Sequence, residues 1–192
     1  MIQKLPYNED TYFIGLSEIS NSKGLGVNQL LDLAKSYSED LLAIQFFNSN
    51  LIASEIHLLS AAQNAINAWR GDYMIARTLD VEIIVYASAQ RQIHQALSIL
   101  GVKDGLSSIS VVIIGADEQK VTKILNEIIA NVGEEYMQLF LPTDDKIEAL
   151  MKTFDITESE MQYFVESNDL MNRIKALSRC IASRVTLVAI GI

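Results

Sequence analysis

Two hydrophobic periodicities alternate along the first 131 residues of the chain. Near-continuous runs of apolar and β-branched residues are typical of buried strands, whereas apolar residues three and four positions apart indicate a helix. Strand-like runs occupy residues 12–16, 42–47, 81–87 and 109–115. Helical spacing follows each run and begins near Val27, Ser54, Gln90 and Asp117, with Ser54 and Asp117 as N-caps. Four strand–helix pairs predict an α/β fold, a sandwich of helices on a central mixed sheet.

The pattern changes after Gly133, where additional C-terminal helices are predicted. These helices cover residues 147–154, a short segment after the N-cap Thr157, and residues 170–183. The segment that follows, residues 184–190, is typical of a final strand or an extended tail. We expect a single domain over residues 1–192, with an α/β core over 1–133 and a helical C-terminal part over 134–192 packed on that core.

The composition is that of a folded protein. Of the 192 residues 49% are hydrophobic, and glycine and proline are few. Apolar runs stay well below the roughly 18 residues that a membrane span needs, so no membrane partner is expected. The first ten residues lack the apolar stretch of a secretory signal. We therefore expect a cytoplasmic protein, which would also enter the nucleus if its source is eukaryotic.

Charge is unevenly distributed. The net charge of −9 argues against binding of nucleic acid by bulk electrostatic attraction. Residues 134–169 contain 10 acidic and 2 basic residues, whereas residues 170–192 contain 4 basic residues and no acidic ones. The chain is acidic overall and ends basic.

Groups that could perform catalysis are sparse. The single cysteine, Cys180, lies in a helical apolar pattern and is expected to be an inert core thiol. His57 and His94 fall in separate predicted helices, where we expect surface or boundary positions, and neither has a metal-ligand neighbour at a suitable spacing. No cofactor, metal or catalytic residue is predicted. The alternative is a small enzyme that binds a phosphorylated ligand at the loop Gly24–Gly26, before a helix.

One segment carries a family resemblance. It combines a helix with His57-Leu58 and Ala61, the predicted strand 81–87, a turn containing Arg91-Gln92-Ile93, and a helix ending in Gly101-Val102-Lys103. This order resembles the small kinase-binding, tRNA-recruiting subunit of the KEOPS complex, the family that includes the PRPK-binding protein. Ala89 stands where that family usually has glycine.

The resemblance implies a non-catalytic regulatory adaptor. Members of this family bind the small atypical kinase/ATPase subunit of KEOPS and help to deliver tRNA for threonylcarbamoyladenosine modification beside the anticodon. Some members hold the single-stranded CCA acceptor end of the tRNA. A purely structural partner without RNA contact is a third hypothesis.

The turn containing Arg91 and Gln92 is the first RNA-binding candidate, with Arg70 and Lys103 as further ones. Placed between a predicted strand and a helix, Arg91 and Gln92 could meet a phosphate or an unstacked base together with helix N–H groups. The competing interpretation of Arg91 is a structural cap, or an ion pair with a carboxylate such as Glu82.

The basic C-terminal helix supplies the kinase-binding candidates Leu187, Ile190 and Arg179. Its basic face, or the apolar tail over residues 187–192, could meet the kinase, because an apolar chain end is unusual unless it is bound. Ordinary amphipathic packing of that helix is the alternative.

Overall fold

A computed structural model of the protein describes residues 1–167 and 169–190. The strands are β1 (Ile2–Tyr7), β2 (Asp10–Ser20), β3 (Ala43–Asn48), β4 (Ser108–Gly115) and β5 (Glu134–Glu135). The helices are α1 (Val27–Ser36), α2 (Glu55–Arg70), α3 (Leu79–Ala87), α4 (Ile93–Leu100), α5 (Glu118–Val132), α6 (Asp144–Phe154), α7 (Glu158–Met161) and α8 (Leu170–Leu187). Short 3₁₀ turns cover Ser49–Leu51 and Val188–Ile190. None of the helices in the described ranges is long and apolar enough to cross a membrane.

The sheet has the order β1-β2-β4-β3, with β5 paired to one end of β2. The α/β class and the layer of helices on a sheet are confirmed. The sheet itself is antiparallel at every described pairing, where a mixed sheet was predicted. The physical reason is that β1 and β2 form a hairpin, and that β4, inserted between β2 and β3, runs opposite to both.

Each face of the sheet has its own hydrophobic core. Side chains of α1 and α5 pack on one face around Ile19, Ile113 and Ile128. Side chains of α2, α3, α6 and α8 pack on the other face around Leu16, Ile84 and Leu177. The predicted C-terminal helices thus contribute to the same core cluster as the sheet, and α8 lies against α2.

The segment predicted as the strand 81–87 is the helix α3, so that prediction is wrong. All its residues from Glu82 to Ala87 are buried, because α2, α4 and β3 surround it. A helix that is buried on all sides has no polar face, and its apolar run cannot be distinguished from a buried strand by periodicity. The acidic residues Asp80 and Glu82 in its first turn were the available helix signal.

The prediction of a strand or an extended tail over residues 184–190 is also wrong. Helix α8 continues to Leu187, and a 3₁₀ turn then covers Val188–Ile190. Val185 and Val188 are buried, and Arg184 donates to Glu160 at 2.9 Å. This packing overrides the strand propensity of the β-branched residues. The last two residues of the predicted tail, Gly191 and Ile192, lie outside the described residues.

Candidate functional site

The turn that carries Arg91 joins two helices, α3 and α4, where a strand-to-helix turn was predicted. The N–H of Gln90 donates to the carbonyl of Val85 at 3.3 Å, and the N–H of Ala89 donates to the carbonyl of Tyr86 at 2.9 Å. These two bonds form a Schellman motif, in which the residue at the position of Ala89 is left-handed and usually glycine. Ala89 has φ +53°, which explains why glycine is favoured there. The motif ends α3 and determines the direction in which Arg91 leaves it.

Arg91 reaches the C-terminal end of α8. Its Nη1 donates to the carbonyl oxygen of Val188 at 2.5 Å, between residues 97 positions apart in the sequence. A guanidinium is favourable at this position, since the last carbonyls of a helix are unsatisfied and carry the negative end of its dipole. Arg91 therefore caps the C-terminal end of α8, and a structural cap was one of the roles considered for it. The suggested partner Glu82 instead accepts bonds from the N–H groups of Ile75 and Ala76.

Gln92 is the N-cap of α4, but its side chain makes no capping hydrogen bond. The first turn of α4 contains no acidic residue, and Ile93 and His94 are exposed. This helix start therefore has unpaired N–H groups beside an exposed arginine, which is an arrangement that can accept an anion.

Arg70 lies at the other end of α2. Its guanidinium pairs with Asp10 and lies 5.6 Å from the ring centre of Tyr7 and 5.7 Å from that of Trp69. Because His57, near the start of α2, contacts the end of α3, about 20 Å of helix separates Arg70 from the Arg91 turn. The structure does not bring these two candidates together.

Lys103 is exposed in the loop between α4 and β4, and forms no ion pair within the described residues.

The neighbouring residue, Asp104, bears on the alternative hypothesis of a phosphate-binding loop at Gly24–Gly26. The Oδ1 atom of Asp104 accepts from the N–H of Val27 at 2.8 Å, and a Cβ added to Gly26 would lie 2.7 Å from that oxygen. A carboxylate of the protein itself thus occupies the start of α1, where the alternative hypothesis placed a phosphate.

Of the three kinase-binding candidates, Leu187 and Ile190 lie at the C-terminal end of α8, whereas Arg179 lies near its middle. Arg179 is exposed and forms no ion pair in the described part of the chain, whereas Leu187 is half-buried. Ile190 is 65% exposed, directly beyond the buried Val188 that Arg91 contacts. The RNA-binding candidate Arg91 and the kinase-binding candidate Ile190 are therefore close in space, which the sequence did not indicate.

His57 is fully buried, so the prediction of a surface or boundary position is wrong for this histidine; His94 is exposed. The Nε2 of His57 lies 2.7 Å from the carbonyl of Ala87, and its Nδ1 accepts from the N–H of Ala53 at 3.3 Å. Burial, with a smaller effect from Lys146, lowers its pKa to about 4. His57 is thus a neutral side chain that connects the start of α2 to the end of α3.

The remaining candidate chemical groups are the single cysteine and the potential metal ligands. Cys180 is buried, as predicted, and burial raises the pKa of its thiol. No three His, Cys, Asp or Glu side chains within residues 1–167 and 169–190 are arranged to hold a metal ion.

Comparison with known proteins tests the resemblance noted in the sequence. The family model described as "Kinase binding protein CGI-121" matches residues 17–189. The "Regulatory protein Cgi121" of Methanocaldococcus jannaschii is 33% identical to this chain over 115 residues, which cover 60% of this chain and 72% of that protein. The family match includes both the Arg91 turn and α8. The chain therefore belongs to the CGI-121 family of kinase-binding proteins.

Proposed function

We propose that this chain is a non-catalytic adaptor subunit of the KEOPS complex, which modifies tRNA with threonylcarbamoyladenosine. In this role it binds the small atypical kinase/ATPase subunit through the C-terminal half of α8, with Leu187, Ile190 and Arg179 as contacts. The tRNA acceptor end binds at the Arg91 turn, with Gln92 and the start of α4, and Lys103, beyond the other end of α4, is a further contact. Arg70 is a peripheral contact at most, since it is paired with Asp10. We expect the complex to work in the cytoplasm, and also in the nucleus if the source is eukaryotic.

The observation that supports this proposal is the bond between Arg91 and Val188. The guanidinium of Arg91 donates to the carbonyl of Val188, at the end of α8, over 2.5 Å. The first N–H groups of α4 follow Arg91 directly in the chain. A subunit that has to present tRNA to a kinase needs its two binding surfaces in a constant relative position. A bond between residues 91 and 188 supplies that constraint.

Three variants test the proposed kinase-binding surface and the proposed RNA-binding surface independently. Ile190→Asp places a charge on a side chain that is 65% exposed, and should weaken kinase binding at least tenfold without loss of stability. Gln92→Ala should weaken binding of a single-stranded CCA-ended tRNA fragment and leave kinase affinity unchanged. Arg91→Ala should weaken both interactions, because it removes an RNA contact and also releases the end of α8.

Affinities are measured by fluorescence anisotropy for RNA at one fixed salt concentration, and by calorimetry for the kinase. Leu31→Asp, at a similarly exposed leucine on α1, is the matched control for Ile190→Asp. An unchanged kinase affinity of the Ile190→Asp variant would exclude the C-terminal end of α8 as the kinase-binding surface. An unchanged RNA affinity of both Arg91→Ala and Gln92→Ala would exclude the Arg91 turn as the RNA-binding surface. It would favour the hypothesis that this chain is a purely structural partner without RNA contact.

A further inference from the structure

The outer edge of β3 carries backbone groups that no other strand of the sheet pairs. Ile114 on β4 directs its carbonyl toward β3, because that carbonyl accepts from the N–H of Leu42 at 2.8 Å. Ile114 pairs with Ala43, and in an antiparallel ladder every second residue bonds to the same neighbour. Ile44 and Phe46, one and three positions later, therefore direct their N–H and C=O groups away from β4, toward the free side of the sheet.

These outward groups are shielded from water and largely unpaired. The side-chain amide of Gln45 donates to the carbonyl of Phe46 at 2.7 Å. The N–H of Phe46 and both backbone groups of Ile44 have no hydrogen-bond partner within residues 1–167 and 169–190. Ile44 is 8% and Phe46 3% exposed, and buried backbone groups cost free energy when they are left unpaired. Bonding partners for these groups therefore have to come from outside the chain.

A groove of about 390 Å³ lies along this edge. Leu31 and Ala34 of α1 line it, and so do Leu79 and Asp80 at the start of α3. Because α1 packs on one face of the sheet and α3 on the other, the two helices flank the edge of β3 on both sides. Leu31 is 49% exposed, and Leu42, directly before β3, is 40% exposed. The groove is thus an open slot beside a strand, with apolar side chains in both of its walls.

The opposite edge of the sheet is protected against pairing. Strand β1 has an exposed lysine, Lys4, and an exposed proline, Pro6, whose nitrogen carries no hydrogen. The side chain of Gln63 also donates to the carbonyl of Pro6 at 3.2 Å. Charged residues and proline are the usual protection of an edge strand, and β3, with the sequence AIQFFN, has neither. Of the two edges, β3 is the one that is left able to accept a further strand.

The chemistry of this edge specifies an extended chain as its occupant. A helix uses its backbone groups internally, so only a strand offers partners to Ile44 and Phe46. A second copy of the chain cannot provide that strand, because paired strands approach to about 4.8 Å and its β3 is recessed between α1 and α3 in the same way. The kinase-binding candidates Arg179, Leu187 and Ile190 are absent from the lining of the groove. The groove is therefore distinct from the surface proposed to bind the kinase.

We propose that β3 binds an extended segment of a partner protein, which adds a further strand to the sheet. The side chains of such a strand point alternately toward α1 and toward α3, so both faces of the segment carry apolar or β-branched side chains. The segment is uncharged, because Lys35 on α1 and Asp80 on α3 balance each other in the lining. This interaction adds to kinase and RNA binding and depends on neither of them.

The probe is a labelled eight-residue peptide of alternating valine and threonine, blocked at both ends. The control peptide has the same side chains and carries N-methyl groups on two consecutive central amides, which removes one N–H from each edge of the strand. In anisotropy measurements with the full chain, we expect the unmodified peptide to bind with a Kd in the micromolar range and at least tenfold more tightly than the methylated one. Absence of binding, or equal affinities for the two peptides, would overturn the proposal.

The variant Leu31→Asp tests the groove itself. A carboxylate beside an apolar strand loses water on binding, so the affinity for the unmodified peptide should fall at least tenfold. Leu141→Asp, at a leucine of 53% exposure in the loop before α6, is the matched control and should change nothing. The kinase affinity of Leu31→Asp should equal that of the parent. A loss of kinase affinity would show that the kinase covers the groove, and would overturn the proposal.

Hydrogen exchange measured by NMR locates the bound peptide. In the free chain the N–H groups of Ile44 and Phe46 should exchange faster than that of Gln45, which faces β4. A saturating concentration of the peptide should slow both at least tenfold, and unchanged exchange would overturn the proposal. Sedimentation of the chain alone is a further check. A dimer that Leu31→Asp converts to monomer would show that a second copy covers the groove, and would also overturn it.

Discussion

The face of the sheet covered by α1 and α5 differs from the face covered by α2, α3 and α8 in where charge is buried. The buried carboxylates and the buried imidazole of the described residues, Glu18, Glu82 and His57, all lie on the second face. Each of them bonds to backbone groups of another segment. The first face has no buried charged side chain among the described residues: apolar contacts surround residues such as Val121 and Ile128, and the buried amide of Asn21 bonds to backbone groups of Leu25 and Leu106.

The difference indicates which parts of the fold are positioned by directed bonds. Apolar contacts hold two layers together but tolerate small shifts, whereas a buried polar group has low energy only when its partners are in place. Glu82 fixes the loop before α3, His57 fixes the junction of α2 with the end of α3, and Glu18 fixes the loop over residues 136–140. The turn that carries Arg91 directly follows the end of α3 that His57 contacts.

The most direct way to break this arrangement is Glu82→Ala. The carboxylate accepts from the N–H of Ala76 at 2.6 Å and from that of Ile75 at 3.0 Å, and its loss leaves both N–H groups without that partner in a loop where Ala76 is buried and Ile75 is half-buried. We expect the free energy of unfolding to fall by about 4 kcal/mol, measured by urea denaturation.

Lys123→Ala on the first face is the matched control. It removes an exposed ion pair of 3.8 Å with Glu127 and should cost less than about 0.5 kcal/mol. Glu82→Gln keeps one acceptor oxygen and should recover part of the loss. A cost below about 1 kcal/mol for Glu82→Ala would show that the carboxylate does not hold the loop.

The pH dependence of stability tests His57. Its pKa is about 4 in the folded protein, below the ordinary histidine value of 6.5, so the unfolded chain binds more protons between these pH values. The contribution of neutral His57 is therefore complete above pH 6.5 and is lost as the pH falls to 4, a change of roughly 3 kcal/mol.

The variant His57→Gln should show a flatter pH profile than the parent in this window, when urea denaturation is repeated at each pH. His94→Gln replaces the exposed histidine and should retain the slope of the parent. Equal slopes for both variants would mean that His57 titrates normally in the folded state.

The smallest expected effect concerns the end of α3. Ala89→Gly removes a side chain at φ +53° and should raise the free energy of unfolding by up to about 1 kcal/mol. The same exchange within α2, Ala68→Gly, should lower it by about 1 kcal/mol, since glycine is unfavourable inside a helix. Thermal unfolding compares the two, and a destabilised Ala89→Gly would contradict the Schellman turn.

Elements with an amphipathic period or a capping residue could be predicted from the sequence. The N-caps Ser54, Asp117 and Thr157 are confirmed, as each side chain accepts the N–H bond expected of it. The strand β4 and the helix α5 follow the predicted pattern. In these elements the local signal and the tertiary environment agree.

The features that escaped prediction depend on contacts between distant segments. Helix α3 has no polar face because its neighbours enclose it, and the buried position of His57 depends on the carbonyl of Ala87, 30 residues later. For the candidate site, the sequence identified Arg91 and Ile190 separately. Their proximity follows from the bond to Val188, and no periodicity in the sequence reports a contact across 97 positions.

The bond from Phe140 to Glu18 has a consequence for the order in which the chain acquires its structure. It spans 122 positions, so the carboxylate on β2 has no partner from that loop until residue 140 has been made and has folded back. The same holds for the pairing of β2 with β4, where Ser17 lies opposite Val111. Both contacts cost the loop-closure entropy of a long chain segment, and folds that are rich in such contacts fold slowly.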